Sequence, residues 1–327
     1  MSENDPVLVA VDGSERSAAA LRYAAAEAVR VGAGLQILHV APEFPPVVAL
    51  CPTPLVASAE VEAEGLRIVA QARRAAEELI GPDRVTARLA TGDRVAAILE
   101  MATEARIVVL GVGCASLLEH LIVGSTLTHV ARRSAVPVVA VPSDWAPHSP
   151  TRPLVVALKH YDPAPLALIE AALERAAAEQ VPLRLVHVWD VPQAYAQVVG
   201  IVSDVEEWAR AVDERIRSDA RDALARHPEV EVEILARFGQ PATVLHELSA
   251  HASLLVIARP VHALPLGQHL GSTGRALLRA SRCPVEVLPI PTASAGAIPE
   301  GRGSTGASTP SPTTRVGHLF TEGTAAS

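Results

Sequence analysis

Short apolar runs alternate with longer stretches in which apolar residues return every three or four positions. The runs VLVAV, LQILHV, RVTARLA, RIVVLG and PVVAV are too short for helices and rich in β-branched residues, so they predict strands near 7–11, 35–40, 84–90, 106–111 and 137–141. Ala-rich stretches of helical period fill 15–31, 59–80, 94–105 and 125–134 between them. Nearly continuous apolar strands, each followed by an amphipathic helix, are the pattern of parallel strands joined by crossover helices. The class expected is α/β.

The whole order then recurs. PVLVAVDGS is matched by PLVVALKHY, LQILHV by LRLVHV, and GSTLTHVARRSAVPVVAVP by GSTGRALLRASRCPVEVLP. The offset is nearly constant: Gly92 and Gly239, Gly124 and Gly271, and Pro137 and Pro284 all stand 147 positions apart. A repeat of that length is a duplicated domain. The expected division is 1–145 and 152–290, with the Pro-rich stretch SDWAPHSPTRP at 143–153 as the linker. Residues 291–327, rich in Gly, Ser, Thr and Pro, bury too little apolar surface to offset chain entropy and are expected to be a disordered tail.

Composition narrows the function classes. Aromatic residues are only 3% of a chain that is 49% hydrophobic, so Ala, Val, Leu and Ile must build the cores. A net charge of −8 with interspersed signs argues against a nucleic-acid surface. No run approaches the length of a membrane span, and MSENDPVL is not a basic leader, so a cytoplasmic protein is expected. Cys51, Cys114 and Cys283 form no C-x-x-C pair, and His246, His251, His262 and His269 lack the spacing of a zinc helix, so no metal site is expected.

Candidate chemistry concentrates between Gly111 and Thr126, in GVGCASLLEHLIVGST. Gly111 closes a strand, and Gly124, Ser125 and Thr126 open a helix whose first backbone N–H groups lack partners and attract anions. The tripeptide alone is equally an ordinary helix start. Asp12, at the end of the first strand, faces the crevice where open α/β sheets take ligands. DGSE also permits a capping box, with Asp12 accepting from the helix backbone and Glu15 reaching back.

AVDGSERSAAALRYAAAEA, the HV that closes the second strand and the G-x2-G-x9-G-[S/T] spacing together resemble the universal stress protein family in its tandem form, over about residues 5–290. The resemblance implies two open five-stranded parallel sheets of order 3-2-1-4-5 flanked by helices, with the fifth strands pairing between the copies. It implies ATP, with or without Mg, between the first and fourth strands. Asp12 would contact the adenosine part, Val40 would meet adenine through its backbone, and Gly111, Gly124, Ser125 and Thr126 would hold the phosphates. Cys114 stands at the middle glycine of the pattern, with Gly113 beside it, and a β-carbon there crowds the phosphates.

The second copy keeps Gly271, Ser272 and Thr273 but has Lys159, Ala258 and Val261 where the first has Asp12, Gly111 and Cys114. No standard ATP site is expected there, although Lys159, Arg259 and His262 near a helix start are a set that would suit another anion. The expected function is a stress-response regulator that binds ATP in the first copy, with the second mainly structural. A slow ATPase or autophosphorylating enzyme acting at Ser125 or Thr126 and a scaffold without nucleotide are the alternatives. The protein partner and a homodimer of the whole chain stay open.

Overall fold

The structure is a computed structural model of the chain and describes residues 5–43, 58–112, 123–147, 151–159, 166–190, 205–261 and 270–291. The first half runs β1 (Val7–Ala10), α1 (Glu15–Arg30), β2 (Leu35–Ala41), α2 (Ser58–Ile80), β3 (Val85–Thr91), α3 (Arg94–Ala102), β4 (Ile107–Val112), α4 (Val123–Arg133) and β5 (Val138–Pro142). The second runs β6 (Leu154–Leu158), α5 (Leu166–Glu179), β7 (Leu183–Trp189), α6 (Val205–Asp219), α7 (Arg221–Arg226), β8 (Val232–Phe238), α8 (Pro241–Ser249), β9 (Leu254–Val261), α9 (Ser272–Ala280) and β10 (Val285–Pro291). The strands fall within a residue of their expected positions. Helix α3 ends earlier, at Ala102, where the Thr103 hydroxyl donates to the Glu100 carbonyl at 2.7 Å. The tail beyond Pro291 lies outside the described residues.

Each half has the order 3-2-1-4-5, but the two sheets are not separate. They merge into one sheet of order β3-β2-β1-β4-β5-β10-β9-β6-β7-β8. All pairs are parallel within a half, and β5 meets β10 antiparallel, Val139 opposite Glu286. Central strands are covered on both faces, so every residue of β2 is buried. The outer strand β3 lies at the edge of the sheet and is fully buried only at Val85, its other residues being partly or wholly exposed. Ala19, Ala20, Ala24, Ala25 and Ala28 form the buried stripe of α1, whose small side chains let the helix lie close on the sheet.

The seam differs on its two faces. On one, a continuous apolar core runs from Leu127, Val130 and Ala131 of α4 to Leu277 and Leu278 of α9. On the other, the cores under α1 and under α5 are distinct, and an ionic cluster fills the gap. Arg175 of α5 donates to Glu286 at 2.7 Å, to Glu179 at 2.8 Å, to Glu27 at 3.0 Å and to the Tyr23 hydroxyl at 3.2 Å. Trp145, within the stretch expected as linker, packs edge-on against Tyr23 with centroids 5.1 Å apart.

Candidate functional site

The cleft follows from strand lengths. β1 pairs with β2 only as far as Leu38 and with β4 only as far as Leu110. Beyond Ala10, residues 39–41 of β2 and 111–112 of β4 therefore have no β1 partner, and a crevice opens between them. The chain reverses direction across the sheet at this same place, which is where ligands enter such folds. A cavity of about 270 Å³ occupies the crevice, lined by Asp12, Arg16, Ser17, His39, Val40, Arg94, Gly111 and Thr126 and backed by Leu38, Ile98, Leu110 and Leu127.

Asp12, Val40, Gly111 and Thr126, expected from the sequence, thus converge on one cavity. For Gly124 and Ser125 the backbone is described, in the first turn of α4, while Gly113 and Cys114 lie outside the described residues. Gly111 has a second reason to be glycine: a β-carbon there would lie 2.7 Å from the carbonyl carbon of Arg16 and 3.1 Å from the Ser17 nitrogen, so α1 is seated directly on β4.

The capping box is not formed. Ser14 is the N-cap of α1, accepting from the Ser17 amide, and Asp12 lies two residues earlier. Its Oδ1 accepts from the Ser14 amide at 3.1 Å and from the Ser14 hydroxyl, an Asx-type turn that Gly13 completes at φ +79°. Its Oδ2 accepts from Arg16 Nε at 3.3 Å. Burial pushes the Asp12 carboxyl up, but the Ser14 hydrogen bonds and Arg16 outweigh it and hold the group below the usual carboxylate range. His39 is buried beside it and spends Nδ1 on the Val11 carbonyl at 2.7 Å; His187 does the same with Leu158 at 3.0 Å.

Arg16 and Arg94 are the cleft residues that sequence reasoning missed. Arg16 was legible, since it stands one helical turn from Asp12. Arg94 carried a weaker signal, a cation at the first position of a helix capped by Asp93.

The second half does not repeat this arrangement. Arg259, expected near the α9 start, is only 2% exposed and donates across the seam to the Ser134 carbonyl at 2.5 Å, at the end of α4. It caps the carboxyl end of α4 from the other half. His262 lies outside the described residues. At the carboxyl ends of β7 and β8, Trp189 packs on Trp208 and Phe238 with centroids 4.1 and 4.7 Å apart, where the first half has Ala41 and Thr91. Among the described residues no three His, Cys, Asp or Glu side chains form a metal-sized group, and no helix is long and apolar enough to cross a membrane. The Cys283 thiol is buried at the seam and pushed up to about 11 by that burial.

A doubly wound parallel sheet with a ligand crevice at its switch point defines a Rossmann-like α/β protein, here duplicated. Two regions, residues 3–142 and 150–289, match the universal stress protein family, and the chain belongs to that family. It is 31% identical over 293 residues to the universal stress protein Rv2005c of Mycobacterium tuberculosis, covering 86% of this chain and 96% of the relative. Rv1996 of the same organism is 26% identical over 309 residues, covering 87% and 95%. The crystal structure of a universal stress protein from Archaeoglobus fulgidus superposes with a TM-score of 0.61 at 18% identity, over 88% of this chain and 97% of that one, a likeness of fold.

Proposed function

We propose that the first half binds an adenine nucleotide, ATP, and that the protein acts as a nucleotide-responsive regulator with the second half mainly structural. The supporting observation is the convergence of Asp12, Val40, Gly111 and Thr126 on the cavity at the switch point. Its polar groups suit the ligand in order: the unpaired edge of β2 at Val40 for the base, Asp12 to accept from ribose hydroxyls, and the hydroxyl of Thr126 with the start of α4 for phosphates. Gly124 and Ser125 belong to that same helix start. The apolar back wall of Leu38, Ile98 and Leu110 suits a purine face. Asp12 is the one carboxylate among the described cleft residues and is committed to Ser14 and Arg16, so any Mg rides on the phosphates rather than on a protein cage. The Asp12 oxygens are engaged by Ser14 and Arg16, an arrangement that suits binding.

The test is equilibrium binding of ATP to the wild type and to Asp12→Asn, whose amide oxygen keeps the turn to Ser14. Losing a charge-assisted hydrogen bond is expected to weaken ATP about tenfold. Lys159→Ala, at the matching place in the second half, is expected to change nothing. An Asp12→Asn variant that binds as tightly as wild type contradicts the assignment.

A further inference from the structure

We propose that Arg16 reads the phosphate charge of the nucleotide, so that the cleft selects nucleoside polyphosphates over the nucleoside. This rests on the nucleotide reading above and concerns a residue outside the glycine and hydroxyl pattern that carries it. Arg16 touches both Asp12 and Gly111, the residues assigned to the two ends of the ligand. Its side chain reaches Asp12, with Nε and Nη2 each 3.3 Å from Oδ2. Its own carbonyl is the group against which Gly111 packs, so its backbone sits at the end of β4 beside the phosphate end of the cavity that Thr126 also lines.

The Asp12 carboxylate divides its two oxygens. Oδ1 is fixed by Ser14 inside the turn, and Oδ2 accepts from Arg16. The Arg16 and Asp12 side chains are 25% and 47% exposed, and ion pairs so open to water are weak, so the pair opens at little cost. A ribose hydroxyl that takes Oδ2 frees a guanidinium lining the same cavity as Gly111 and Thr126, and its planar fork matches two phosphate oxygens. Binding the nucleoside end and reading the phosphate end are thereby coupled through one side chain. The second half lacks the pair altogether, with Lys159 and Pro163 at the matching positions.

Titration of the full chain with ATP and with adenosine, for wild type, Arg16→Gln and Arg16→Lys, tests this. Wild type is expected to prefer ATP. Arg16→Gln is expected to lose about tenfold for ATP while adenosine, which no longer competes with Arg16 for Oδ2, does not weaken. Arg16→Lys keeps the charge without the fork and is expected to recover part of the loss. If Arg16→Gln lowers both ligands alike or neither, or if Arg16→Lys recovers nothing, the role assigned to Arg16 is overturned while the nucleotide reading stands. If wild type takes neither ligand, the nucleotide reading fails and this role with it.

Discussion

A β-carbon at residue 111 would lie 2.7 Å from the carbonyl carbon of Arg16, and backbone cannot swing aside as a side-chain tip can. Gly111→Ala is therefore expected to destabilise the fold by about 1–3 kcal/mol through overpacking alone, measurable as a lower denaturation midpoint with no ligand present. Weaker nucleotide binding in that variant would follow from the displaced α1 as well as from the phosphate end, so Gly111 is a poor probe of the site and Asp12→Asn a better one. The residue scale is also where the sequence was least explicit. DGSE offers two side-chain oxygens two residues apart, Asp12 and Ser14, either of which can reach a helix amide. Only the backbone path, with Gly13 at positive φ, makes Ser14 the cap and leaves Asp12 at the cleft.

At the scale of elements nearly everything was legible. Parallel strands buried on both faces must be apolar throughout, so VLVA, LQILHVA and IVVLGV announce themselves. The constant offset of 147 then carries each assignment from one half to the other. The crevice was legible from the α/β order, because open parallel sheets take ligands beyond the carboxyl ends of their strands, whereas the early end of β1 appears only in the structure. What could not be read were contacts made by the faces of elements far apart in sequence. Arg175 and Glu286 are 111 residues apart; in the sequence Arg175 is one of four charges on α5 and Glu286 the one charge of β10. Arg259 likewise looks like the polar end of a strand. Its burial against the Ser134 carbonyl appears only once β5 and β10 have joined the halves.

The whole molecule is held at that join by apolar packing on one face and by charge on the other. The charged side places Glu27, Glu179 and Glu286 around Arg30 and Arg175, with Tyr23 beside them. Burial raises Glu27, but Arg175 and Arg30 outweigh it and hold that carboxyl below its ordinary range; Arg106 adds to the same effect. Burial also raises Glu286, and there Arg175 and Arg30 offset it only in part, with Glu27 and Glu179 adding to the rise, so Glu286 ends above its ordinary value of 4.5. A carboxyl raised in the fold binds its proton more tightly there than in the unfolded chain. Its stabilising contribution is present at low pH and is lost as pH rises from about 4.5 through the raised value. Glu27 has the opposite sign, its contribution being lost as pH falls below its ordinary range. Glu286→Gln, which keeps an acceptor for Arg175, is expected to flatten the decline in stability above pH 4.5, read from denaturation midpoints across pH. An unchanged pH profile would mean that Glu286 carries no excess proton at the seam. The same duplicated frame has one half with Asp12, Arg16 and Gly111 at its crevice and another with Lys159, Pro163 and Ala258. The most direct measurement is the number of nucleotides bound per chain when the full-length protein is titrated with ATP: one is expected, and two, or none at millimolar ATP, would contradict the division of the molecule into a binding half and a structural half.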